Sequence, residues 1–345
     1  MLSAARGNSG RLAPALPAPG VVEPVAPDYP LVAIVGPTAA GKSALALALA
    51  ERLDGEIVNY DSVQIYQGFD VGAGKVPVAE RGSVPHHLLD CLEPAQVFTA
   101  GDYRREALRV LTDLRARAKL PIFVGGTGLY LRALLLGLFE GPPRSEAHRE
   151  RLRALAEQRG REYLHHLLER LDPAAAERIQ PRDTQKIIRA LEVCLLARKP
   201  LSALQARGRK RLAGFRIHKL GLNPDRARLY ERINRRVEGM FAGGLLDEAR
   251  ALLARPDARS IKPLQALGYR QACAALRGEM SLAEAIRRTQ IMTRRYAKRQ
   301  LTWFRSETDL AWFEGFGDDP EVQSRVLRTL AEAGVPGRGK TLSVL

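Results

Sequence analysis

The chain has few cysteines, no long apolar run and too few acids for its cations. Cys91, Cys194 and Cys273 are scattered over 345 residues, with no C-x-x-C pair. That spacing speaks against a disulfide framework or a structural zinc, and it suits a reducing, cytoplasmic setting. No apolar stretch reaches the roughly 20 residues of a membrane-crossing helix, so no membrane partner is expected. Acids number 38 against 54 Lys and Arg, a formal net charge of +16. Base composition can trade Lys for Arg, but it does not unbalance cations against acids. The surplus asks for an anionic partner, and nucleic acid is the commonest. No internal repeat is evident. The apolar content of 46% suffices for a core, in one large domain or two ordinary ones. Residues 1–28 are rich in Ala, Pro and Gly and lack an uninterrupted apolar segment. They read as a disordered tail or a misplaced start codon, not as a signal peptide.

What is present begins with Gly36-Pro37-Thr38-Ala39-Ala40-Gly41-Lys42-Ser43, a match to G-x-x-x-x-G-K-[ST]. It follows a short apolar strand, Leu31–Val35, and opens an Ala/Leu-rich helix, Ser43–Arg52. Strand, loop and helix in that order are the context in which the pattern cradles a phosphate. Gly36 and Gly41 let the backbone N–H groups turn inward, Lys42 adds a cation, and Ser43 is a candidate Mg²⁺ ligand. Further strands are expected at Glu56–Asn59 and Pro121–Val124, with a helix at Asp102–Ala118 between them. Alternation of this kind predicts a P-loop-like α/β fold, a parallel sheet with helices on both faces. Ligands then gather at the carboxyl ends of the strands, where Asp61 and Thr127 fall.

From residue 142 to 210 the chain is rich in Arg, Glu, Ala and Leu, and no strand is expected there. It reads as a helical insertion (142–210) between two halves of a catalytic core (29–141 and 211–315). Phe215–Leu222 returns as a strand, and Arg226–Ala242 and Leu282–Phe304 are long helices. Residues 316–345 read as an extension with little functional signal.

A nucleotide hydrolase normally adds an Asp at the end of a second apolar strand. Here Pro121–Val124 runs into Gly-Gly-Thr, and the nearest candidate, Asp90, follows only Leu88-Leu89. The loop therefore suits another phosphate ester, such as a diphosphate leaving group. Asp61, in Asp61-Ser62-Val63-Gln64, is open to three readings: general base, metal ligand or helix N-cap. Gln64 has the groups to read a base edge. Arg232 and Arg236 lie one turn apart and suit a diphosphate clamp. On the helix Asp183–Ala197, Ile187, Ile188, Leu191 and Leu195 share an apolar face, and Gln185, Lys186 and Arg189 stand off it. In the last long helix Arg287, Arg294 and Lys298 form one stripe, with Arg288, Arg295 and Arg299 beside it. An uncompensated basic stripe points to a nucleic-acid backbone.

Taken in order, GPTAAGKS, YDSVQIYQGFDVGAGK, VPHHLLD, FVGGTGLYLRALL, LDPAAAERI, DTQKIIRALEV, ALGYRQ and RRYAKRQLTWFR resemble the tRNA dimethylallyltransferases, also known as tRNA delta(2)-isopentenylpyrophosphate transferases. The likeness runs from about residue 31 to 305. It implies transfer of a dimethylallyl group from dimethylallyl diphosphate to N6 of adenosine 37, in tRNAs that read codons beginning with U. Asp61 matches the family's general base and Arg236 its catalytic Arg. The loop Gly36–Ser43, with Lys42, Arg236 and Mg²⁺ on Ser43, would hold the donor diphosphate. The anticodon stem-loop would meet Asp61, Ser62, Val63, Gln64, Thr127, Arg149, Gln185, Lys186, Ile187, Ile188 and Arg189. Arg270, Arg294 and Arg295 complete the set expected to face tRNA. The target base has to leave its stack to reach the donor. Family members often carry Ser or Thr at Ala40 and Arg at Gln265. The DDxxD box of isoprenoid synthases and the zinc set of protein prenyltransferases are both missing. Three alternatives compete: an adenylate isopentenyltransferase, a P-loop small-molecule kinase, and a non-catalytic RNA-binding protein. The expected state is a monomer, since no interface patch stands out.

Overall fold

The computed structural model describes residues 28–337. The N-terminal tail expected from the sequence lies outside the described residues but for Asp28. Strands β1 (Tyr29–Val35), β2 (Gly55–Asn59) and β3 (His86–His87) alternate with helices α1 (Lys42–Leu53) and α2 (Ala100–Ala116). β4 (Leu120–Val124) and α3 (Gly128–Leu136) follow. Next comes an all-helical stretch: α4 (Glu146–Arg159), α5 (Arg161–Leu171), α6 (Pro173–Arg178), α7 (Thr184–Ala197) and α8 (Leu201–Ala206). The chain returns through β5 (Phe215–Asn223) to α9 (Arg226–Ala242), α10 (Leu245–Leu253), α11 (Tyr269–Leu276) and α12 (Leu282–Arg305). It ends in β6 (Leu310–Glu314) and α13 (Pro320–Glu332).

One six-stranded sheet has the order β3-β2-β4-β1-β5-β6, with every pair parallel. Parallel strands need crossovers, and the crossover helices cover both faces. This is why β1, β2 and β4 are buried at every residue and apolar but for Glu56 and Asn59 of β2, which are paired, Glu56 with Arg117 and His87 and Asn59 with the Leu88 carbonyl. On one face α1 and α13 pack Leu45, Leu49, Val322, Val326 and Leu330 against Val32, Ile34 and Ile122. Each fully buried Leu there contributes about 1.5–3 kcal/mol. The other face holds the larger core, shared by α2, α3, α9, α11 and α12.

The helices α4–α8 enclose a separate core of Leu164, Leu168, Ile187, Leu191 and Leu204. Of the stretch 316–345, set apart in the sequence as an extension, the described residues 316–337 pack into the core instead. β6 pairs with β5, and Val322, Val326, Leu330 and Val335 are all buried. The β6 signal is only five residues long and was overshadowed by the basic helix before it.

Because β2, β4 and β1 are consecutive neighbours, their carboxyl ends bring together three segments distant in sequence. These are the loop 36–41, the turn 60–64 and the turn 125–127. No described helix is long and apolar enough to cross a membrane.

Candidate active site

The phosphate loop is closed by glycine at both ends. Gly41 sits at φ 83°, and a Cβ there would lie 2.7 Å from Asp318 Oδ1 and 2.8 Å from the Gly317 nitrogen. Only glycine meets both demands. Lys42, the first residue of α1, donates to the Pro37 carbonyl at 2.8 Å. Loss of water around its ammonium and the nearby Arg236 guanidinium push Lys42 down to about 7, while Asp61 pulls it upward. A bound diphosphate would restore the proton. Donor binding should then be tightest below about pH 7 and weaken by up to about tenfold per pH unit above it. Titration of pyrophosphate across this range tests the point. Lys42→Arg, which stays charged, separates the lysine from the ligand's own titration.

Asp61 follows β2. Its Oδ1 accepts from the Val63 nitrogen at 2.9 Å and from the Gln64 nitrogen at 3.3 Å. The carboxylate thus shapes its own turn with one oxygen and leaves the other directed at Gly126. A Cβ on Gly126 would sit 2.9 Å from Asp61 Oδ2, and one on the preceding Gly125 would sit 2.5 Å from the Tyr60 carbonyl carbon, so the turn requires glycine at 125. Asp61 is near enough to act electrostatically on both Lys42 and Arg236. Thr127 joins the turn: its Oγ1 accepts from the Ser62 nitrogen at 3.0 Å and lies 3.1 Å from Ser62 Oγ.

Arg236 reaches in from α9. Its Nη1 donates to Thr38 Oγ1 at 3.2 Å, and Nη2 lies 3.5 Å from the Gly74 carbonyl. Burial lowers its pKa from the usual guanidinium value, and Asp61 counters this. Arg232, expected as its partner in a clamp, is instead held by a bidentate pair to Asp318, at 2.8 Å for both bonds. Gln64 also differs from the expectation of base reading. Its Nε2 donates to the Ala73 carbonyl at 3.1 Å and contacts the Gly74 carbonyl at 3.4 Å, so the donor end is already engaged.

The loop 70–75 that supplies those carbonyls has its own anchor, which the sequence did not reveal. The Glu248 carboxylate accepts from the backbone nitrogens of Asp70, Val71 and Gly72 at 2.8, 2.8 and 3.1 Å. The Tyr269 hydroxyl donates to Glu248 and accepts from the Ala73 nitrogen at 3.1 Å. Asp90, after β3, holds this loop from outside by pairing with the buried Lys75. It is therefore not a carboxylate facing the phosphate loop.

The residues expected to face RNA fall into two groups and some exceptions. Arg270 and Arg295 line one cavity of about 1110 Å³ together with Arg255, Arg259, Arg277 and Arg288. Arg149 and Arg189 line another, of about 1260 Å³, between α2 and α3 on one side and the helical segment on the other. Both also hold the fully buried Glu192, at 2.9 and 2.6 Å. Burial works against that carboxylate's charge, but the two arginines hold it down to about 2. Gln185 and Lys186 are exposed at the start of α7, beside a third cavity that Gln185 lines. Ile187 and Ile188 are the correction: at 0% and 5% exposure they fill the core of the helical segment and present no side chain to RNA. Arg294 is turned toward α9, where its Nη1 donates to Asn234 Oδ1 at 2.6 Å. The basic stripe of α12 is compensated at its start, where Glu284 pairs with both Arg287 and Arg288, and the rest of its exposed face is carried by Arg295, Lys298 and Arg299.

A parallel sheet with a glycine-closed phosphate loop after β1, and a carboxylate after β2, defines a P-loop-like α/β protein. The IPP transferase family model matches residues 64–307, and the chain belongs to that family. The tRNA dimethylallyltransferase of Solibacter usitatus is 52% identical over 303 residues, 88% of this chain and 98% of the relative. That of Koribacter versatilis is equally similar, 52% identical over 303 residues with the same coverage. Among solved structures, the tRNA isopentenylpyrophosphate transferase of Bacillus halodurans is 38% identical, with a TM-score of 0.66, and the match spans 89% of this chain and 97% of the other. A eukaryotic dimethylallyltransferase acting on tRNA has a TM-score of 0.73 at 24% identity, over 91% of this chain and 82% of its own, a likeness of fold alone.

Proposed function

We infer that this chain is a tRNA dimethylallyltransferase, a prenyltransferase that alkylates N6 of adenosine 37 in tRNAs reading codons that begin with U. One observation carries the reading. The Asp61 carboxylate and the phosphate loop with Lys42 and Arg236 meet at the ends of β2 and β1, either side of β4, while the other carboxylate against the loop, Asp318, is taken up by Arg232.

The chemistry follows from the charges. An exocyclic adenine amine is a poor nucleophile because its lone pair is delocalised into the ring. As a new bond forms from N6 to the prenyl carbon, the carbon–oxygen bond to diphosphate breaks. The N6 proton passes to Asp61, and the electron pair leaves with the diphosphate. Lys42, Arg236 and the loop's N–H groups stabilise that growing negative charge. Mg²⁺ would find Ser43 in the first turn of α1. Among the described residues no group of three or more His, Cys, Asp or Glu side chains is placed to hold a metal ion. Its other ligands would therefore be donor oxygens and water, a mode common for Mg²⁺, where it supplies charge neutralisation on the leaving group.

Thr127 and Ser62 border the Asp61 turn, where the extruded base would enter. The arginine-lined cavity at Arg270 and Arg295 suits RNA phosphates. Reversing both charges should weaken binding of an anticodon stem-loop and flatten the slope of log affinity against log salt by about one unit per lost contact. An unchanged slope would remove this cavity from the interface. We also propose a monomer at work in the cytoplasm. Its described cysteines, Cys91, Cys194 and Cys273, are all free thiols, which suits a reducing compartment.

The product itself tests the reaction. Purified protein, dimethylallyl diphosphate, Mg²⁺ and a stem-loop with adenosines 36 and 37 should yield N6-(dimethylallyl)adenosine after nuclease digestion. A digest containing adenosine alone would contradict the reading.

A further inference from the structure

Gln300, on the inner side of α12, is 5% exposed and makes two long-range bonds with one amide. Its Oε1 accepts from the Thr38 nitrogen in the phosphate loop at 2.8 Å. Its Nε2 donates to the Gly126 carbonyl, in the turn after β4, at 3.0 Å. The partners fix the orientation of the amide: a backbone nitrogen needs an acceptor and a carbonyl needs a donor. Gly126 receives a second bond from the Tyr296 hydroxyl at 3.1 Å, one helical turn earlier. Thr38 is also the residue whose hydroxyl accepts from Arg236, and the Gly126 turn abuts Asp61 and continues into Thr127. One side chain therefore ties the wall of the leaving-group site to the wall of the general-base site. Its helix carries Arg295, Lys298 and Arg299 on the outside.

We propose that Gln300 is a positioning residue that sets the spacing between the donor diphosphate and the acceptor adenine. The inference rests on the prenyl-transfer reading above. Displacement at carbon requires the attacking nitrogen and the prenyl carbon to meet at about 3–3.5 Å, and an error of about 1 Å costs on the order of 10²-fold in rate. Each loop keeps its other contacts without Gln300, so each substrate still binds; what is lost is their alignment. Tyr296 supports the same carbonyl, so it backs up one arm of the bridge and not the other.

The test is Gln300→Leu, which keeps the volume and removes both bonds. The expected result is a fall in kcat of about 10- to 100-fold. Dissociation constants for pyrophosphate and for the stem-loop RNA, measured separately, should each stay within about threefold. Tyr296→Phe alone should cost less than about threefold, and the double variant should exceed the product of the two single effects, because both groups hold Gly126. A merely structural role would lower the melting temperature while leaving kcat and this non-additivity untouched. Should Gln300→Leu not fold, Gln300→Met, of similar length, uncharged and without a donor, carries the same expectation. A wild-type kcat in the folded variant overturns the proposal. So does a rate loss fully matched by weaker pyrophosphate binding. The wild type runs alongside: no prenyl transfer there contradicts the reaction and the inference together, whereas transfer in both proteins at one rate sinks the inference alone.

Discussion

Asp61→Asn should lower prenyl transfer by about 10²-fold or more while RNA and pyrophosphate still bind. Asparagine is the informative replacement. The Asp61 Oδ1 that accepts from the Val63 and Gln64 nitrogens has an equivalent in the amide oxygen, so the turn survives. What disappears is the oxygen facing Gly126 that can take a proton. Asp61→Ala confounds the two losses, because it removes both the base and the support of the turn. A comparison of the two variants therefore separates catalysis from architecture. If Asp61→Asn turns over like wild type and Asp61→Ala does not, the carboxylate shapes the loop and is not the base.

Arg236 carries the second large effect. Its half-buried guanidinium lies between Thr38 and the Gly74 carbonyl, with Asp61 near enough to favour its charge. Arg236→Gln should lower kcat by on the order of 10²- to 10³-fold, as expected when a group that stabilises a leaving anion is lost. Arg236→Lys should recover little. An ammonium is a point charge, and it cannot keep the Thr38 bond while spreading two donors toward a diphosphate. Single-turnover rates at saturating donor measure the chemical step apart from binding. A loss confined to the donor KM would make Arg236 a binding group only. Arg232 offers the contrast: already paired with Asp318, it should matter several-fold less.

Much of this site was legible before any coordinates, and the reason is local. The glycines, Lys42 and the helix that follows are contiguous, so spacing alone places them. Asp61 and Thr127 lie at the ends of short apolar strands, and the rule that ligands gather at strand ends put them together. The sheet order β2-β4-β1 is the physical cause of that rule here. The basic stripe of α12 was visible too, although Arg294 turned out to bond Asn234.

The remainder depended on contacts across long sequence separations. Gln300 reaches Thr38 across 262 positions, and Glu248 reaches Gly72 across 176. Neither residue has a local signature: one is a polar side chain on a helix rich in them, the other an acid near a helix start. Asp318 lay in a stretch with no apparent motif, yet it rests against Gly41 and holds Arg232. Ile187 and Ile188 show the opposite failure. Their helical spacing marked them as apolar and core-facing, and the likeness to the family set that aside.

The measurement closest to the central claim is a parallel incubation of the protein with radiolabelled dimethylallyl diphosphate and Mg²⁺. One tube holds the anticodon stem-loop, a second AMP and a third ATP. The account predicts label in the RNA alone, with ATP left intact. Label in AMP or ATP, or ATP consumed with no label transferred, would contradict it.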